Sequence, residues 1–172
     1  LAVAQKDNKD ALDALRAKHK EGYGRGAWSW IIADDASCNY DTQKEYIDFA
    51  AAMGWESLLI DAQWDRQIGR ERIAELARYG KTKGVYLYLW YNSNGYWNDA
   101  PQTPRHCLST ATARQQEMEW LKQTGIRGIK VDFFGGDKQC TMELYRDILA
   151  DALKHDIKVI FHGCTLPRGW EM

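Results

Sequence analysis

Five near-continuous apolar runs, each followed by a helical pattern, constrain this chain more than any other feature. They are GAWSWIIA (Gly26–Ala33), SLLIDAQW (Ser57–Trp64), GVYLYLWYN (Gly84–Asn92), GIKVDFF (Gly128–Phe134) and IKVIFHG (Ile157–Gly163). They recur at intervals of about 30 residues, the size of one βα unit. A run that is apolar throughout suits a parallel strand covered on both faces. The chain therefore reads as α/β, and strand–helix alternation with right-handed crossovers builds either a doubly wound sheet or a (β/α)8 barrel. No glycine-rich phosphate fingerprint follows the first run, whose continuation is IIADDASCNY; that weighs against a dinucleotide-binding fold.

Between the strands, four helices are expected. Thr42–Met53 opens with a capping box of Thr42 and Glu45, carries Tyr46, Phe49 and Ala50 on one face, and stops at Gly54. Gly69–Tyr79 turns Ile73, Leu76 and Ala77 inward, with Gly80 following. Thr110–Gln123 is closed by Gly125, and Thr141–His155 shows Leu144, Ile148 and Leu149 on one stripe. Leu1–Tyr23 reads as a polar lead-in helical segment ahead of a single domain over residues 24–172.

Composition removes several function classes. A net charge of -1 gives no electrostatic case for nucleic acid or an anionic membrane. No stretch approaches the roughly 18 apolar residues of a membrane span, and LAVAQKDNKD lacks the basic start and apolar centre of a signal peptide. Cys38, Cys107, Cys140 and Cys164 form no CxxC pair, so zinc is not indicated and free thiols are expected. The 8 Trp and 9 Tyr cluster at predicted strand ends. Flat ring faces there suit either a core or a sugar cleft, where they meet the C–H faces of a pyranose.

In a parallel α/β fold, chemistry collects at the C-terminal strand ends. Those ends carry Trp28 and Trp30, then Asp61 and Trp64, then Trp90 and Asn92, then Asp132, then His162. Lys130 and Asp132 stand two residues apart on one strand and so share a face. Burying both is costly unless they pair or react. Position alone leaves two readings open for Asp132, a structural ion pair with Lys130 or a nucleophile or general base beside a hydroxyl-binding lysine.

The segments GAWSWI, YIDFAAAMGWESLLIDAQWD, LYLWYNSNGYWND, TPRHCLST, KVDFFGGDKQ and FHGCTLPRGW, in this order, resemble the barrel domain of glycoside hydrolase family 97 from about Gly24 onward. The resemblance implies a (β/α)8 TIM-type barrel with about the first five βα units present, and a secreted or periplasmic enzyme of polysaccharide-degrading Bacteroidetes. It implies a retaining α-galactosidase in which Asp132 is the nucleophile, with Lys130, Asp61, Trp64, Trp90, Asn92, His162, Trp28 and Trp30 lining the sugar subsite. It further implies a glutamate acid/base and most ligands of a calcium ion downstream of Met172, so that turnover by these residues alone is not expected. Glu171 does not match the acid's position. The implied partner is an oligo- or polysaccharide, and open sheet edges would favour self-association. The competing readings are an inverting α-glucosidase of the same family, a non-catalytic carbohydrate-binding module, and an unrelated barrel enzyme such as an aldolase or isomerase.

Overall fold

A computed structural model describes residues 24–94 and 97–165. Five strands form one sheet in the order β1-β2-β3-β4-β5, every neighbouring pair parallel. They are β1 (Gly26–Trp28), β2 (Ser57–Ile60), β3 (Tyr86–Asn92), β4 (Gly128–Asp132) and β5 (Lys158–Phe161). The helices are α1 (Trp30–Ala33), α2 (Tyr40–Ala52), α3 (Trp64–Gln67), α4 (Arg70–Thr82), α5 (Ala111–Thr124) and α6 (Gln139–His155), with a 3-10 turn at Asp34–Ser37.

Strand order that follows chain order, without reversal, is single winding. Repeated right-handed crossovers then put every connecting helix on one face, as in a barrel and unlike a doubly wound sheet. The packing shows it. Leu58, Ile60, Leu87, Leu89, Tyr91, Ile129 and Val131 form the row that meets the helices, packed in one core with Ile47 and Ala50 of α2, Ile73 and Leu76 of α4, Met118 and Leu121 of α5, and Leu144 and Ile148 of α6. The alternate row faces the concave side, where Gly26, Trp28, Ser57, Leu59, Tyr88 and Ile160 line an open groove. A closed barrel of this winding takes eight strands; the described residues supply five.

Local structure departs from the sequence expectations in instructive places. The first strand is short, because the chain turns helical at Ser29 (φ -68°, ψ -28°) and Trp30–Ala33 forms a helical turn. The second strand likewise ends at Ile60, and Trp64 opens α3. The N-cap of α2 is Asn39, whose Oδ1 accepts from the Thr42 amide at 3.0 Å, in place of the Thr42–Glu45 box. Gly80 does not stop α4. It lies within the helix, where an added Cβ would sit 2.5 Å from the Val85 carbonyl, so glycine permits close helix–strand approach. Thr110 caps α5 and Gly125 ends it at φ 81°, as the sequence indicates. Phe49 and Leu149, expected on inward stripes, are exposed. The four cysteines are free thiols. Among the described residues no helix is long and apolar enough to cross a membrane. The predicted helix at Leu1–Tyr23 falls outside the described residues.

Candidate active site

Parallel register decides which side chains meet at the C-terminal edge. Trp90 on β3 is opposite Lys130 on β4, and Asn92 is opposite Asp132. Lys130 and Asp132 do share the concave face, with the Lys130 ammonium 3.9 Å from Asp132 Oδ2. Its closer partner comes from two strands away, where Asp61, just past β2, accepts from Lys130 Nζ at 2.8 Å. Lys130 and Asp61 side chains are each only 5% exposed. Asp61 Oδ2 also accepts from Trp28 Nε1 at 2.7 Å and its Oδ1 from the Ala62 amide at 2.9 Å. The ammonium lies 4.3 Å from the centroid of the Trp28 ring, a cation–π contact. Trp28 in turn stacks on Trp30, centroids 5.6 Å apart and planes 14° from parallel.

Asp132 is held by three other donors. Its Oδ1 accepts from the Phe133 amide at 2.8 Å, and its Oδ2 from Trp90 Nε1 at 3.2 Å. His162 Nδ1, one residue past β5, lies 2.9 Å from Oδ2, and the His162 side chain is 60% exposed. The carboxylate is therefore buried beneath a solvent-facing imidazole, at the mouth of the concave face. Two backbone features fit it there. Phe133 has φ 66°, a left-handed conformation that costs a residue with a Cβ about 1–2 kcal/mol. Gly163 has φ 50° and comes so close that an added Cβ would stand 2.5 Å from Asp132 Oδ1.

Of the residues singled out in the sequence, Asp132, Lys130, Asp61, Trp28, Trp30, Trp90 and His162 come together. Trp90 does so through its N–H, its ring being buried. Two do not join them. Trp64 is fully buried, its Nε1 donating to the Trp90 carbonyl at 2.8 Å and its ring stacked on Trp120, so it is a core residue behind the sheet. Asn92 is also fully buried, its amide donating to the Ala100 and Gln102 carbonyls, so it ties down the β3–α5 connection. Both stand at a strand end in sequence, but the rim position does not fix which way a side chain turns. Sequence reasoning missed Gly163, for which a glycine directly after the rim residue His162 is the available signal.

Calcium wants about six to eight oxygen ligands. Among the described residues no group of three or more His, Cys, Asp or Glu side chains is placed to hold a metal ion, and the rim carboxylates are engaged by Lys130, Trp28, Trp90 and His162. The described residues do not fit a calcium site, and no step below is routed through one.

A probable retaining α-galactosidase from Streptomyces bingchenggensis is 30% identical over 159 residues, 85% of this chain and 23% of that protein. The crystal structure of a β-arabinopyranosidase superposes with a TM-score of 0.84 at 60% identity, over 86% of this chain and 24% of that one. An α-galactosidase from Thermus thermophilus, in complex with p-nitrophenyl α-D-galactopyranoside, superposes at 0.60 with 17% identity, over 83% of this chain and 38% of that one, a likeness of fold alone. The chain spans less than a quarter of the length of the curated relatives it matches. Residues 19–172 match the family described as Glycoside hydrolase 97. Because that match runs through all five strands and takes in every residue of the rim cluster, the chain belongs to the glycoside hydrolase 97 family.

Proposed function

We propose that the enzyme carrying this chain cleaves terminal α-galactosides with retention of anomeric configuration, Asp132 acting as nucleophile. The observation that carries the proposal is the Asp132 carboxylate itself, buried at the C-terminal end of β4 and oriented by Phe133, Trp90 and His162. In the first step a carboxylate oxygen bonds to the anomeric carbon as the bond to the leaving oxygen breaks, and a carboxylic acid protonates that oxygen. In the second, the same group takes a proton from water, which displaces Asp132.

Asp61 is ill suited to be the acid. Its two oxygens already accept from Lys130, Trp28 and Ala62, and a proton there would lose the ion pair. The acid is thus a group other than these two carboxylates. Asp61 and Lys130 instead fix the charge beside the nucleophile, and the stacked Trp28 and Trp30 offer ring surface to the sugar.

A second reading has its own support in the 60% identity to a β-arabinopyranosidase. A β-L-arabinopyranosyl ring has the configuration of an α-D-galactopyranosyl ring and lacks only the exocyclic hydroxymethyl group. One nucleophile position therefore serves both, and the difference lies at the pocket wall that meets that group.

The test uses the complete enzyme with p-nitrophenyl α-D-galactopyranoside and p-nitrophenyl β-L-arabinopyranoside, the first anomer released being read by proton NMR. Retention is expected, with the galactoside preferred. In Asp132→Gly, azide should restore turnover and give a glycosyl azide. Inversion, or no azide product, would remove Asp132 from the nucleophile's role; preference for the arabinoside would establish the second reading.

A further inference from the structure

The peptide that follows the nucleophile is gripped at both ends. The Phe133 carbonyl accepts from Asn98 Nδ2 at 2.8 Å and from Ser93 Oγ at 3.0 Å, both in the connection leaving β3. The Phe134 amide, in the same peptide plane, donates to the Gly163 carbonyl at 3.0 Å, after β5. Ser93 is itself fixed. Its amide donates to the Asp132 carbonyl at 2.9 Å, and its hydroxyl accepts from Trp97 Nε1 at 3.1 Å. Asn98 Nδ2 also approaches Ser93 Oγ, at 3.4 Å.

This matters because of what lies between the two held planes. Phe133 is in the left-handed region at φ 66°, which a side chain with a Cβ adopts only when its surroundings insist. The Phe133 amide that donates to Asp132 Oδ1 lies in the peptide plane before Phe133, whose carbonyl, that of Asp132, accepts from the Ser93 amide. Fixing the plane after Phe133 as well holds the left-handed residue that joins the two planes, so the first cannot turn without the second. Neither Ser93 nor Asn98 contacts the carboxylate in any described hydrogen bond, yet both govern the donor that orients it.

We infer that Asn98 and Ser93 are positioning residues for the nucleophile, acting through the Phe133 carbonyl. The inference rests on the assignment of Asp132 in the preceding section. A hydrolase gains from such an arrangement because a misplacement of about 1 Å in a reacting group costs up to about 100-fold in rate. A donor on a strained backbone needs external support if it is to hold that tolerance.

The test is a double-mutant cycle in the complete enzyme. Asn98→Ala and the isosteric Asn98→Asp, which cannot donate to a carbonyl, should each lower kcat about 10- to 100-fold while KM changes less than about threefold. Asn98→Gln, which keeps the donor, should recover part of the loss. In the Asp132→Gly background, with azide as the external nucleophile, Asn98→Ala should cost little, because no carboxylate remains to be aimed. Ser93→Ala is the second variant, should Asn98→Ala fail to fold. An equal loss in both backgrounds would show a structural role only and overturn the inference. So would undiminished kcat in Asn98→Asp and Ser93→Ala. Failure of azide rescue in Asp132→Gly alone would instead strike the nucleophile assignment, a distinguishable result that removes the clamp's purpose with it.

Discussion

Replacing Lys130 with methionine removes the one positive charge between two buried carboxylates while nearly preserving volume. Lys130 Nζ stands 2.8 Å from Asp61 and 3.9 Å from Asp132, with 5% of its side chain exposed. Breaking a buried pair by deleting one partner costs about 3–5 kcal/mol, because the other charge is left uncompensated. Asp61 would keep two donors, Trp28 Nε1 and the Ala62 amide, which places the expected loss near the lower bound, about 3 kcal/mol. For a domain of about 150–250 residues that corresponds to a fall in Tm of about 6–12 °C. Denaturant unfolding of the complete enzyme, with calorimetry as a check, measures it. Adding Asp61→Asn to Lys130→Met should restore most of the loss, since the uncompensated charge is then gone. A single-mutant cost below about 1 kcal/mol would refute the reasoning. Additive losses in the double mutant would refute it equally, by showing that the two side chains do not act as a pair.

Gly163→Ala should damage catalysis more than stability. The left-handed φ of 50° costs a residue with a Cβ about 1–2 kcal/mol, while the new methyl would press on Asp132 Oδ1 from 2.5 Å and displace it; a kcat near wild type would show that the carboxylate yields without penalty. The thiols carry a pH signature. Burial, reinforced by the negative charges of Asp61 at Cys38 and Glu117 at Cys107, pushes both thiols from 9.0 up to about 12. Both should resist iodoacetamide in the native protein at about pH 8 and react on denaturation. The unfolded chain releases these protons first, so stability should hold below pH 9.0 and decline as pH rises toward about 12; a native-state thiol titration near 9.0 would contradict the burial argument.

How much of this was legible in the sequence depends on the range of the interaction. Single-strand periodicity correctly put Lys130 and Asp132 on one face, and the glycine after α5 marked its end. The length of β1 was not legible, since Trp28 through Ala33 is as apolar as a strand and only the hydrogen bonds of Ser29 with Ser37 and Gln43 show why the chain turns there. The principal partner of Lys130 was not legible either. Asp61 is 69 residues away, and no pattern within one strand says which neighbour's carboxylate arrives. Trp64 and Asn92 failed for a related reason. Both sit at the rim in sequence, but one indole turns back to the Trp90 carbonyl and one amide turns to the Ala100 and Gln102 carbonyls. Buried polar groups take the partners that satisfy them, and those partners were loop carbonyls invisible to a strand pattern.

Register is what converts one-dimensional spacing into this site. A slip of one residue in β4 would turn Lys130 and Asp132 into the helix layer and bring Ile129 and Val131 to the concave face. Backbone hydrogen bonds alone resist such a slip weakly, since each is simply remade one step along. Shape complementarity resists it better. Gly128 faces Tyr88 across β3, and an added Cβ there would fall inside the van der Waals envelope of the Tyr88 ring, so the ring fits over a position that only glycine leaves empty. One step along, the same ring would meet Ile129. Two rows above this contact, with Trp90 and Lys130 between, Asn92 stands opposite Asp132. The missing side chain at Gly128 thus acts on Asp132 from beneath, by permitting only the alignment in which Trp90 Nε1, Lys130 and Asp132 share one face.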